Sequence, residues 1–327
     1  MLKACMQRSI IIIGAGIGGW GVARTLAKTA TLEDVQVTLV DRKMEHVFPG
    51  RLINLAAGFP EVRVGMVGPA FRDEVERRGI RFVHDEVVHI DRAARHVVLR
   101  AGETLPYDAL VIACGAQQSF SGVLGAEEHA LPLRGVRDAL RIRQCIDDAA
   151  ARTERRGGRA RIGIIGGGPI GVELATAISS AHRAVEVMLV ERNSRFLDRA
   201  PKRLSGVALR QARESGIRVH LDTAVARVNV GVCTLQPRPM KAGEEREHLL
   251  CGFEGDSIDV EVDGLIWATG NVYGPLSLAE GLPSDPNGRI RVDNELRVQG
   301  ERNIFAMGDC AAFGDTGLAP RAAIADH

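Results

Sequence analysis

Two glycine triplets in this chain are spaced for holding phosphate. Gly14-Ala15-Gly16-Ile17-Gly18-Gly19 has glycines at its first, third and sixth positions, and Gly166-Gly167-Gly168-Pro169-Ile170-Gly171 repeats that spacing. The first glycine of such a triplet permits a tight turn. The second lets the backbone approach a pyrophosphate, and the third lets helix and strand pack closely, with the helix N-terminus facing the anion. Each triplet is followed by a carboxylate, Asp41 or Glu191, at the end of the next β-branched run. A carboxylate there is placed to accept hydrogen bonds from a ribose diol. At Glu191 it would also repel a 2′-phosphate, which favours NADH over NADPH. Arg192 and Arg195 count the other way, because either could pair with that phosphate. One such fingerprint is weak evidence. Two complete ones imply two nucleotides, and therefore electron transfer between cofactors.

The elements that must carry these loops form an internal near-repeat. The first copy runs from Ser9 through Gly14–Gly19 and an apolar-periodic stretch to about Lys28, closing with Val35 to Asp41. The second runs from Arg161 through Gly166–Gly171 to about Ala181, closing with Val185 to Glu191. Each reads as strand, tight turn, helix, strand. The continuous β-branched runs suit parallel strands buried on both faces. Glu127 to Asp148 reads as largely helical, Arg152 to Arg161 as a surface connection, and Pro237 to His248 as a hairpin loop. Asp259 to Trp267 and Asn303 to Met307 read as further strands. The expected fold class is α/β with two Rossmann-like dinucleotide-binding domains.

Composition narrows the function. The chain has 327 residues, 45% hydrophobic and 25% charged, the balance of a globular protein with a sizeable core. Its 42 basic and 41 acidic residues nearly cancel, so nucleic acid is not expected as a partner. No apolar run approaches the roughly 20 residues needed to span a bilayer. Lys3 and Arg8 precede a short apolar run, but the glycine turn interrupts it, so a nucleotide loop explains these residues better than a signal peptide. A cytoplasmic location is expected. The six cysteines show no C-x-x-C or other near spacing, which removes the redox-dithiol and zinc-ribbon readings. No H-E-x-x-H or carboxylate cluster suggests a metal, and no G-x-S-x-G elbow supports a serine hydrolase. His84, His89 and His96 fall in a β-patterned segment and read as surface or core-edge residues, and Arg134 to Arg143 as a solvated helix face.

Three further motifs accompany the loops: Val111-Ile112-Ala113-Cys114-Gly115, Ile266-Trp267-Ala268-Thr269-Gly270 and Ile304-Phe305-Ala306-Met307-Gly308-Asp309. Together with the two fingerprints, they make nearly the whole chain resemble the FAD-dependent pyridine nucleotide-disulfide oxidoreductases. The resemblance implies a discontinuous FAD domain, residues 1–126 and 269–327, with an NAD(H) domain, 127–268, inserted. Under it Gly14, Gly16, Gly19, Asp41, Arg42, Ala113, Gly115, Gly308 and Asp309 would bind FAD. Asp309 would meet the ribityl chain, and Asp41 the ribose, where the family more often has Glu. Gly166, Gly168, Gly171 and Glu191 would bind NADH, and Thr269-Gly270 would form a crossover between domains.

Within that superfamily the chain is most similar to the type II NADH dehydrogenases. Glu45-His46-Val47-Phe48-Pro49 and Leu55-Ala56-Ala57-Gly58 resemble their segment along the isoalloxazine. The resemblance implies that Glu173 faces the nicotinamide as the catalytic-site residue. The alternative is a carboxylate that only complements the helix dipole. The implied activity passes a hydride from NADH to FAD, with electrons going on to a small-molecule acceptor, a quinone among them. Two departures weigh on the quinone. Ala323 stands where the family has the Gln of an Ala-Gln pair, and the C-terminal interface or membrane-docking segment is expected to be missing. Peripheral membrane contact, at the cytoplasmic face, is thus expected only of a longer form, and a homodimer is the assembly considered. Other readings are a sulfide:quinone oxidoreductase-like protein, for which Cys114 and Cys145 are the only argument, a ferredoxin-reductase-like flavoprotein, and a nucleotide-binding redox-sensing module.

Overall fold

The structure, a computed structural model, describes residues 7–29, 34–59, 65–238, 257–273 and 281–313. The chain divides into two compact units. One comprises Met1–Phe48, Gly65–Gln117 and Asn271–His327, the other Pro49–Val64 and Gln118–Gly270. Residues 49–64, 118–126 and 269–270, which the sequence reading gives to the FAD domain, thus group with the second unit.

The first unit is built on a five-stranded sheet in the order Ile304–Ala306, Ala109–Ile112, Arg8–Ile13, Val35–Asp41, Arg81–His84. Every neighbouring pair is parallel. Alternate side chains of the first strand enter opposite cores, as the pleat requires. Ile11 and Ile13 pack with Val97, Leu99 and Ile304. Ile12 packs with Trp20, Ala23 and Phe71. Burial on both faces is why this strand is an unbroken apolar run. A three-stranded antiparallel sheet, Val87–Asp91, His96–Leu99 and Thr104–Pro106, completes the unit. His84, His89 and His96 all lie in strands.

The second unit repeats this plan. Its parallel sheet runs Leu131–Pro132, Gly264–Trp267, Ala160–Ile165, Val185–Val190, Arg218–His220. Its antiparallel sheet comprises Thr223–Asn229, Val232–Pro237 and Ile258–Glu261. Most of the connection expected as a hairpin loop, and the stretch around Ala323, lie outside the described residues.

One expectation holds in outline and one needs correction. Glu127 to Asp148 is largely helical, but in two helices. A short helix Ala126–His129 gives way to the strand Leu131–Pro132, and the long helix Val136–Glu154 starts after Gly135. Pro132 and Gly135 are poor helix-interior residues, and the edge of the parallel sheet takes up the stretch between the helices. Arg134 therefore precedes the long helix, and its Nε donates to Gln118 Oε1 at 3.2 Å instead of facing solvent.

Candidate nucleotide sites

The two glycine loops are built alike in their turns. Gly14 N–H donates to the Val40 carbonyl and Gly166 N–H to the Val190 carbonyl, both at 2.8 Å. The turn demands φ of +102° at Gly14 and +114° at Gly166, values that glycine adopts without strain. A Cβ on Gly19 would run into the Gly14 carbonyl oxygen, and one on Gly171 into the Gly166 carbonyl oxygen. The first and third glycines of each triplet are thus required by the protein's own packing. The middle ones are not. A Cβ on Gly16 or Gly168 would meet no protein atom within 4 Å. Helices follow at once, Ile17–Thr29 and Pro169–Ala181, the second opening on a proline whose missing N–H costs nothing there.

The acidic residues clamp these loops. Asp41 accepts the Ala15 N–H on Oδ2 at 2.6 Å and the Lys43 N–H on Oδ1 at 2.7 Å. Glu191 accepts the Gly167 N–H on Oε2 at 2.6 Å and the Asn193 N–H on Oε1 at 2.7 Å. Each carboxylate therefore ties the glycine loop to the turn after its own strand. Burial pushes the Glu191 carboxyl up, against the pull of its two backbone hydrogen bonds. A carboxylate with two N–H donors keeps lone pairs for further donors.

In the first unit the candidate residues gather at the C-terminal edge of the parallel sheet. Ala113 and Gly115 follow the strand Ala109–Ile112, Gly308 and Asp309 follow Ile304–Ala306, and Arg42 follows Val35–Asp41. Arg42 is exposed, with its carbonyl 3.1 Å from His84 Nε2. Asp309 lies in a short 3-10 turn, partly buried. In the second unit Gly166, Gly168, Gly171, Glu191, Thr269 and Gly270 gather at the equivalent edge. Glu173 is exposed on the helix Pro169–Ala181. Phe48, 62% exposed, ends the first run of the first unit, and Pro49 opens the helix Pro49–Ala56 of the second. That helix packs on Val136–Glu154 and Pro169–Ala181, and His182 Nε2 donates to the Ala57 carbonyl at 2.9 Å.

Sequence reasoning missed three side chains. His46 Nδ1 lies 3.2 Å from the Ala15 carbonyl oxygen, so the Ala15 peptide is held at its N–H by Asp41 and at its C=O by His46. The imidazole packs beside Trp20 and Phe71, and burial lowers its pKa. Gln118 Nε2 reaches the Thr269 carbonyl at 2.5 Å and the Gly270 carbonyl at 3.2 Å, both on the chain leaving the strand Gly264–Trp267. Neither residue has a local spacing signal, since each acts on a loop far away in sequence. Cys310 is the third, in the buried cluster against which Cys114 packs. Cys145, the other thiol weighed, packs in the second unit against Gly264, where a Cβ would lie 2.6 Å from its sulfur. Arg195 is committed to its own turn, bonding the Ala200 carbonyl at 2.9 Å and the Asp198 carbonyl. Arg192 is left as the exposed arginine beside Glu191.

Among the described residues no helix is long and apolar enough to cross a membrane, and no cluster of His, Cys, Asp and Glu could hold a metal ion.

Known proteins resemble the chain over nearly its whole length. It is 28% identical over 309 residues to a demethylphylloquinone reductase of Synechocystis, covering 92% of this chain and 71% of that protein. It is 28% identical over 331 residues to a type II NADH:quinone oxidoreductase of Mycobacterium tuberculosis, covering 93% and 66%. Its fold matches that of NDH2 from Plasmodium falciparum, solved with NADH, at a TM-score of 0.77 and 21% identity, covering 94% of this chain and 65% of that one. The sequence profile described as pyridine nucleotide-disulphide oxidoreductase matches residues 8–325. The chain belongs to the pyridine nucleotide-disulphide oxidoreductase family.

Proposed function

We propose that the chain is an FAD-dependent NADH oxidoreductase that delivers electrons to a quinone. The observation that carries this reading is the pair of middle glycines. At Gly16 and Gly168 the fold has room for a side chain, so the need for glycine is met by something that approaches the backbone from outside. A pyrophosphate at the start of a helix fits that requirement. FAD is assigned to the first loop, with Asp41 on its ribose and Asp309 at the ribityl chain. NADH is assigned to the second, with Glu191 on the ribose of its adenosine half.

When bound, the nicotinamide supplies a hydride and the flavin accepts it. The protein binds, orients and keeps water away. The Asp41 and Glu191 clamps fix the loops before a nucleotide arrives, so little ordering remains to be done on binding. Glu173, exposed two residues past the last loop glycine, is assigned to the nicotinamide end. The names of the curated relatives support the quinone.

The test is direct. Purified protein should carry about one FAD per chain, and NADH should bleach it anaerobically. A water-soluble quinone should then restore the colour. Protein that binds NADH yet carries no flavin, even after FAD is supplied, contradicts the reading.

A further inference from the structure

Neighbouring strands Ala109–Ile112 and Ile304–Ala306 run parallel, with Ile112 in register with Ala306. The chain leaving the first carries Cys114, and the chain leaving the second carries Cys310. Cys310 is fully buried, its Sγ 3.1 Å from the Met307 carbonyl oxygen and 3.3 Å from that of Ile112. Cys114 packs against the buried cluster that holds Cys310. Cys114 is the less buried residue of the two. Its Cα would lie 3.1 Å from a Cβ placed on Gly14.

We propose that Cys114 and Cys310 are a redox-active thiol pair which a hydroperoxide converts into a disulfide beside the first glycine loop. The chemistry balances without a metal. Cys114 Sγ bonds to one peroxide oxygen as the O–O bond breaks, and the other oxygen leaves as an alcohol, or as water, with the thiol proton. Cys310 Sγ then attacks the resulting sulfenic sulfur. The S–S bond forms, the S–O bond breaks, and the hydroxyl leaves as water with the Cys310 proton. The two thiols lose two electrons and the peroxide gains them. The neighbouring Cys310 and burial push the Cys114 thiol up, and Cys114 in turn holds the Cys310 thiol low. Oxidation through Cys114 therefore quickens as the pH is raised. The disulfide would fix the exits of two strands between which the Ala113-Cys114-Gly115 and Gly308-Asp309 segments begin. That constraint bears on FAD only if the proposed function is right.

Peptide mapping tests the pair. The protein is treated with hydrogen peroxide, its remaining thiols are alkylated, and it is digested without reductant. The expected product joins the Cys114 and Cys310 peptides, weighs two hydrogen atoms less than the separate thiols, and is reversed by dithiothreitol. Cys145→Ser should keep the cross-link and Cys114→Ser should lose it. Oxidation of Cys114 to a sulfinic acid while Cys310 stays alkylatable would overturn the proposal. So would linkage of either residue to Cys5, Cys145, Cys233 or Cys251, or the absence of any disulfide. The mapping does not depend on flavin, so a protein that never binds FAD would fail the proposed function and leave this test intact.

Discussion

Replacing Glu191 by Gln separates what the carboxylate does for the fold from what it does for a nucleotide. Burial holds its carboxyl above the ordinary range despite the Gly167 and Asn193 amides at 2.6 and 2.7 Å. An acid whose folded pKa exceeds its unfolded one gives its full contribution at and below the unfolded value. That contribution is lost as the pH rises through the folded pKa. At neutral pH the ionised side chain therefore costs the nucleotide-free protein stability. Gln can accept only one of those two amides, so a loss of about 0.5–1.5 kcal/mol for the other bond offsets the removal of the buried charge, and the melting temperature should change little. Nucleotide affinity should change much more. Hydrogen bonds from ribose hydroxyls to a carboxylate are worth roughly 1.5–3 kcal/mol. Losing that charge should weaken NADH binding roughly 10- to 150-fold. Because the ionised form is the binding form, wild-type affinity should fall as the pH drops through the folded pKa, and the Gln variant should lack that dependence. Anaerobic titrations with NADH and NADPH at fixed salt, beside thermal melts, measure both arms. Equal wild-type affinity for the two nucleotides, or an unchanged NADH Kd in the variant, would refute the reasoning.

The middle glycines give two paired tests. Gly16→Val should fold normally, since no protein atom lies near its Cβ, but should lose its flavin absorbance. Gly168→Val should stay yellow and fail to bleach with NADH, and loss of both signals would mean the loops are wrongly divided. Gly171→Ala, whose Cβ meets the Gly166 carbonyl, should lose at least ~1–3 kcal/mol in denaturant titration, the usual cost of overpacking. His46 is buried with a lowered pKa, so its stability contribution is full above the ordinary imidazole value of about 6.5 and lost as the pH falls through the folded one. His46→Leu should flatten that acid limb of the stability profile while costing about 0.5–1.5 kcal/mol at neutral pH for the bond to Ala15; an unchanged acid limb would remove His46 from the account.

Legibility from sequence followed the range of the interaction. The parallel strands and the glycine turns were readable because their signals are local: an apolar run for a strand buried on both faces, and glycine where φ is positive. Asp41 and Glu191 were readable as carboxylates near the loops. Their grip on the Ala15 and Gly167 amides was not, because it depends on how strand and loop ends meet in space. The Cys114–Cys310 contact escaped for the same reason, since cysteine spacing along the chain says nothing about adjacent sheet strands. The short edge strand Leu131–Pro132 inside the largely helical stretch Glu127 to Asp148 was not readable, because its pairing is with the distant strand Gly264–Trp267. Arg195 looked free to meet a phosphate until its turn carbonyls were seen to occupy it.

The edge strand Ile304–Ala306 has a consequence for how the chain acquires its shape. It pairs with Ala109–Ile112, and nearby Asn303 bonds the Asp108 carbonyl across 195 residues of sequence. All five strands of the second parallel sheet, by contrast, lie between Leu131 and Trp267. During synthesis from the N-terminus, that second sheet can therefore close while the first still has an open flank at Ala109–Ile112. Long-range pairing is slow to form and leaves unpaired backbone exposed in the meantime. The nascent chain should thus be most prone to aggregation in the interval before Ile304–Ala306 emerges, and chaperone demand should concentrate on the half that was translated first.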